Sequence, residues 1–331
     1  MTSFRFLAQA LCLFVVLICQ SCTENETRTG LEKPVVDLSS HESVVDSIPV
    51  FSEDSAYVYI KKQVDFGPRT PNSSAHDQCE DYLITTLKSF DWSVKTQKGE
   101  KLAHDGVKLK FSNIIASINP ESKKRILLTA HWDTRPWADN DADESEHAKP
   151  IDGANDGGSG VGVLLEIARV LKAEDLSIGV DIVLFDIEDY GVSSQAQSFC
   201  YGSQYWANNS TYKGALPYFG INLDMVGDKN ACFSYEGHSN KYARHVLDKV
   251  WSSAYALGYK SMFVRDITYP VTDDHLYVNQ AGIPCIDLIH RDKVSGRFPD
   301  SWHTHDDTMD NIYKPTLKAV GQTVLRVLYM E

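Results

Sequence analysis

Between residues 111 and 303, short apolar runs with strand character alternate with helix-like stretches, and residues able to work beside a metal stand just past these runs. Strands are expected over residues 111–118, 125–130, 180–185, 219–223 and 284–289, each rich in β-branched or aromatic side chains. Residues 160–171 carry the i, i+3, i+4 spacing of an amphipathic helix through Val161, Leu164, Leu165, Ile167 and Val170. Further helices are expected over residues 55–64, 74–90, 240–257 and 315–329, and Asp273-Asp274-His275 opens another. Such alternation predicts a single-domain α/β fold: a doubly wound, mixed but mostly parallel sheet flanked by helices. An open sheet of this kind gathers the carboxyl ends of its strands along one edge, so residues distant in sequence can converge on one crevice.

Three segments precede or make up this fold. Residues 1–22 read as an export signal, with Arg5 ahead of an apolar stretch too short to span a membrane comfortably. Ser21-Cys22 resembles the end of a lipoprotein signal, which would place a lipid on Cys22 and the protein in an exported, periplasm-facing compartment; plain secretion is the alternative. Residues 23–50 are polar and lack apolar periodicity, as expected of a flexible tether. Residues 51–331 are left for the folded domain. The formal charge of -13 argues against a nucleic-acid partner, which would need clustered Lys and Arg. Cys79, Cys200, Cys232 and Cys285 fall in the folded part without zinc-finger spacing, and buried free thiols are the expected reading.

The candidate site residues each have a bland reading when taken singly. His131 and Asp133 follow an apolar strand at a spacing that turns both to one side, so one could be a ligand and the other its orienter. Asp156, in the glycine-rich stretch 152–159, could merely cap the next helix. Glu188-Asp189 is more informative, because adjacent carboxylates after a buried strand repel unless something positive stands beside them. Zinc accepts both carboxylate oxygen and imidazole nitrogen, so one of the two could bind metal while the other acts as a general acid/base. Asp224 and Asp273 sit at further element ends, and Trp302-His303 offers a nitrogen donor beside an aromatic wall. Asp139, Asp141 and Asp143 alternate but lack the EF-hand pattern, which leaves a solvated acidic loop near the crevice mouth.

The stretches 111–115, 130–133, 153–156, 185–189, 201–203, 273–275, 282–284 and 298–304, the last containing Trp-His-Thr, resemble the animal-type glutaminyl cyclases. Those enzymes share their fold with zinc aminopeptidases. The resemblance implies conversion of N-terminal Gln of exported peptides to pyroglutamate with release of ammonia. It further implies one zinc per chain held by Asp156, Asp189 and His303, with Glu188 as general acid/base. Asp224 and Asp273 would support them, and Trp302 and His131 would contact or neighbour the substrate. Asp189 stands where the animal enzymes carry glutamate, no tryptophan follows it closely, and Ala130 replaces a cysteine. Substrate contacts are then expected from Trp132, Trp137 or Trp206. A monomer is expected.

Two other readings remain. A di-zinc aminopeptidase would use His131 and Asp224 for a second metal beside Asp156, Asp189 and His303. A lipid-anchored binding protein without catalysis would have no use for Glu188.

Overall fold

The computed structural model describes residues 48–171, 176–209, 212, 214–292 and 295–331. The signal, the lipid site at Cys22 and nearly all of the tether expected over 23–50 lie outside the described residues. Among the described residues no helix is long and apolar enough to cross a membrane.

In chain order the main elements are α1 (Glu53–Val64), α2 (Ser74–Ser89), β1 (Ser93–Leu102), β2 (Lys108–Ile118), β3 (Arg125–His131), α3 (Gly158–Val170), β4 (Gly179–Phe185) and α4 (Tyr201–Asn208). Then follow β5 (Phe219–Asp224), β6 (Phe233–Tyr235), α5 (Gly237–Tyr242), α6 (Arg244–Ala256), β7 (Phe263–Ile267), α7 (Asp274–Gln280), β8 (Cys285–Ile289) and α8 (Lys314–Tyr329). Six strands form one mixed sheet in the order β1-β2-β4-β3-β5-β8. The pairs β1·β2 and β2·β4 are antiparallel, while β4, β3, β5 and β8 run parallel.

The central strands are mostly apolar and buried along their length because both faces of the sheet are covered. Successive side chains go to opposite faces. On β3, Ile126, Leu128 and Ala130 enter the larger core with α1, α3 and α8, whereas Leu127 enters a smaller one. β4 divides likewise: Val180, Ile182 and Leu184 join the first core, Val183 and Phe185 the second, where Trp206 and Val278 of α4 and α7 meet them.

Two departures from the expected elements have physical causes. β1 carries Lys95, Lys98 and Lys101 and no apolar run; it is an edge strand held by its backbone ladder to β2, and lysine is a usual edge residue. The single helix expected over 240–257 is two, α5 and α6, separated at Ala243, whose backbone leaves the helical region.

Glu236 caps the start of α5 and reaches further than a cap. Its carboxylate accepts hydrogen bonds from the backbone N–H of His238 (2.8 Å), Ser239 (2.7 Å) and Val271 (2.8 Å), and lies 3.0 Å from His275 Nε2. It thereby ties α5 to the segment that leads into Asp273. Burial opposes its ionisation, but His275 and the backbone donors win and hold the carboxyl at about 2 rather than 4.5. A depressed carboxylate contributes stability that is present above its unfolded value and disappears as pH falls through the folded one. Glu236→Gln should therefore lack ~3 kcal/mol of stability at neutral pH that the parent loses between about pH 4.5 and 2. Urea unfolding across that range checks this; parallel pH profiles for the two proteins would rule it out.

Candidate metal centre

Parallel pairing of β3, β4, β5 and β8 brings their carboxyl ends to one edge, and the site is built there. β3 ends in His131, β4 runs on into Asp186–Asp189, and β5 ends in Asp224. The glycine-rich turn ahead of α3 supplies Asp156, the N-cap of α7 supplies Asp273, and the loop before α8 supplies Trp302 and His303.

Two donor groups share Asp156. Asp156, Asp189 and His303 offer ligand atoms within 4.8 Å of one another, and so do His131, Asp156 and Asp224. His303 Nε2 lies 3.3 Å from Asp189 Oδ1 and 3.9 Å from Asp156 Oδ2. His131 Nε2 lies 3.0 Å from Asp156 Oδ1 and 3.3 Å from Asp224 Oδ1. The two oxygens of Asp156 thus face different histidines.

An outer ring of groups orients these donors. His131 Nδ1 is 3.5 Å from Asp133, as the same-side reading of the pair anticipated. Asp133 also accepts from the backbone N–H of Glu188 (3.0 Å) and Asp189 (3.2 Å). His303 Nδ1 is 3.2 Å from Asp139. The buried Arg135 donates to Asp189 Oδ1 at 3.0 Å and to both oxygens of Asp139. Asp307 receives the backbone N–H of Asn155 (2.7 Å) and Asp156 (3.0 Å) and so sets the turn. Histidine ligands are commonly steered by a carboxylate on the second nitrogen in this way.

The charges respond to this crowding. Burial lowers His303, but Asp189 and Asp139 outweigh it and raise the imidazole to about 9. Burial raises Asp189, but His303 and Arg135 together hold it below the ordinary carboxylate range. Burial, reinforced by Asp273 and Asp156, lifts Asp224 to about 7. Glu188 is pushed well up by burial and by Asp189, Asp273 and Asp274, against the pull of His131. Among the described residues, Asp189 Oδ2 is buried without a hydrogen-bond partner. A buried carboxylate oxygen left this way favours a cation, and the mixed carboxylate and imidazole set suits zinc.

These residues face a cleft of about 290 Å³. Asp156, Glu188, Asp189, Asp224, Asp273, Trp302 and His303 all line it. His131 is buried and is not among the lining residues. The aromatic contacts expected from Trp132, Trp137 or Trp206 are not there. Trp132 is buried against His76, Trp206 packs on Phe185, and Trp137 sits with Tyr190. Phe199 and Phe298 supply the apolar wall beside Trp302 instead. The acidic loop is not simply solvated either, since Asp139 serves Arg135 and His303 and Asp141 binds His305. All four described cysteines are free and buried, as expected.

The sequence profile of peptidase family M28 matches residues 113–328. The chain belongs to peptidase family M28. Among solved structures, glutaminyl cyclase from Bacteroides thetaiotaomicron bound to N-acetylhistamine is 51% identical, with a TM-score of 0.84 over 86% of this chain and 100% of that one. A leucine aminopeptidase precursor from the same organism is 50% identical, with a TM-score of 0.82 over 86% of this chain and 99% of that one. Porphyromonas gingivalis glutaminyl cyclase is 50% identical, with a TM-score of 0.82 over 84% and 98%. The chain spans 54% of the length of Bacillus subtilis aminopeptidase YwaD, to which it is 27% identical over 274 residues, 79% of this chain.

The loop after β4 is held by the start of α4. The first three N–H groups at the start of α4 pair with it in reverse order: Cys200 with the Glu188 carbonyl (2.7 Å), Tyr201 with Ile187 (2.8 Å) and Gly202 with Asp186 (3.0 Å). Gly202 is needed at this approach, because a Cβ there would press on the Asp186 carbonyl oxygen and on Asn113 Oδ1. Gly202→Ala should destabilise the protein by ~1–3 kcal/mol, the usual range for overpacking. An unchanged urea midpoint would show that the loop can retreat.

Proposed function

We propose that this chain is a zinc-dependent glutaminyl cyclase that converts the N-terminal Gln of exported peptides or proteins to pyroglutamate and releases ammonia. The observation that carries this reading is the cleft itself. It sets a partly exposed Glu188 beside the Asp156, Asp189 and His303 donors, under an aromatic wall, in a chain half identical to two glutaminyl cyclases.

The reaction is an intramolecular acyl transfer that consumes no water. The substrate's α-amine attacks the carbonyl carbon of its own side-chain amide; the new N–C bond forms, the bond to the amide nitrogen breaks, and ammonia departs. Glu188 accepts the proton lost by the amine and returns it to the departing nitrogen, a role suited to a carboxylate raised by burial and neighbouring acids. Trp302 packs on the closing ring and holds the near-attack geometry. Asp224 and Asp273 support Glu188 and the donor set through the shared acidic field. Zinc, when bound by Asp156, Asp189 and His303, supplies Lewis-acid polarisation of the amide carbonyl.

We assign one zinc per chain to this site. A di-zinc aminopeptidase is the competing reading, and it draws on the His131, Asp156 and Asp224 group. Incubation of the purified protein with a Gln-initiated peptide and with an aminopeptidase substrate separates the two: loss of one ammonia in mass without cleavage is expected, at one zinc per chain by elemental analysis. Cleavage with two zincs per chain would overturn the assignment. Glu188→Gln should lower turnover by ~10²–10⁴-fold, the range for a lost acid/base, with zinc retained. His303→Ala should lose the zinc, and an unchanged stoichiometry would remove His303 from the ligand set. We further propose that the protein is exported and anchored by lipid on Cys22, on the strength of Arg5, the apolar run after it and Ser21-Cys22. Cys22→Ala should then move the protein from the membrane fraction to the soluble one, and an unchanged distribution would refute the anchor.

A further inference from the structure

A proton carrier is effective only where its carboxylate is held, and glutamate has three side-chain torsions to lose. The hydrogen bonds from Cys200, Tyr201 and Gly202 clamp the backbone of residues 186–188 and leave those torsions free. One contact acts beyond the backbone: Cys200 Sγ donates to Glu188 Oε1 at 3.1 Å. Among the described residues, no other side chain hydrogen-bonds the Glu188 carboxylate. Cys200 is fully buried, and its Cα is fixed twice over, as the left-handed N-cap of α4 (φ 59°) and through its own N–H on the Glu188 carbonyl.

We propose that the Cys200 thiol is a positioning residue of the reaction, pinning Glu188 Oε1 so that Oε2 is the oxygen offered to the substrate. This rests on the reading of Glu188 as the proton carrier. The thiol is placed as a donor, not as a nucleophile or ligand: burial, then the nearby Glu188, Asp274 and Asp273, push it well above its ordinary range and keep it protonated. Serine can repeat the bond, because it keeps Cβ in place and carries an O–H donor. Alanine cannot.

The test uses the zinc-loaded enzyme and a Gln-initiated dipeptide, with kcat and KM measured for Cys200→Ser and Cys200→Ala. C200A deletes the γ atom together with the donor, whereas C200S keeps both, so the urea midpoints of the two variants are measured alongside to report the packing loss separately from the change in kcat. We expect C200A to lose about tenfold in kcat with KM within about twofold, and C200S to recover to within about threefold of the parent, the pattern of an interaction that matters in the transition state. In an E188Q background C200A should add no further loss, as expected of groups acting as one unit. A parent-like kcat for C200A would overturn the proposal, and so would a C200S loss equal to that of C200A. Retention of turnover by E188Q alone would instead remove the underlying role of Glu188, so the two failures are distinguishable.

Discussion

Buried negative charge at the carboxyl edge of the sheet is the constraint around which the molecule is arranged. Asp156, Asp189, Asp224 and Asp273 are nearly inaccessible to solvent and close together, so they cannot all be ionised without positive charge among them. His131, His303 and Arg135 provide part of it, and Arg135 also anchors Asp139, which in turn orients His303. Asp189 Oδ2, buried with no hydrogen-bond partner, marks where that compensation stops and where a cation fits. Glu188 inherits its raised affinity for protons from the same crowding.

Holding such a site requires backbone that does not relax. Ile187 and Cys200 both adopt left-handed conformations, which cost free energy and persist only where their surroundings over-determine them. Here the surroundings are visible. The start of α4 grips the loop after β4 from one side, and Asp133 grips it from the other through the N–H groups of Glu188 and Asp189. Further out, His76 on α2 binds Asp186 at 2.8 Å while stacking on Trp132, so the larger core reaches the first residue of the loop.

Much of this was legible in the chain. The strands at 111–118, 125–130, 180–185, 219–223 and 284–289 were evident because double burial makes their sequences predominantly apolar. The edge strand β1 left no such trace, since its pairing is backbone only and its side chains mostly face water. Three-residue β6 is too short for any period to register. Asp156, Glu188, Asp189, Asp224, Asp273, Trp302 and His303 stood out by type and by place after an apolar run. Arg135 and Asp307 did not, and Asp139 stood out only as one of an acidic loop, because the importance of each lies in which donor it orients.

The sequence by itself determined the class of fold and the set of residues able to bind metal or move a proton, because apolar periodicity and chemical type are local properties. Tertiary structure alone decided which of them meet. It placed one Asp156 oxygen toward each histidine, buried Trp132 and Trp206 away from the cleft, and put Phe199 and Phe298 in the wall. It also set the thiol of Cys200 against Glu188. Distances of about 3 Å between residues tens to hundreds of positions apart depend on strand order and register, and these follow from packing both faces of the sheet at once.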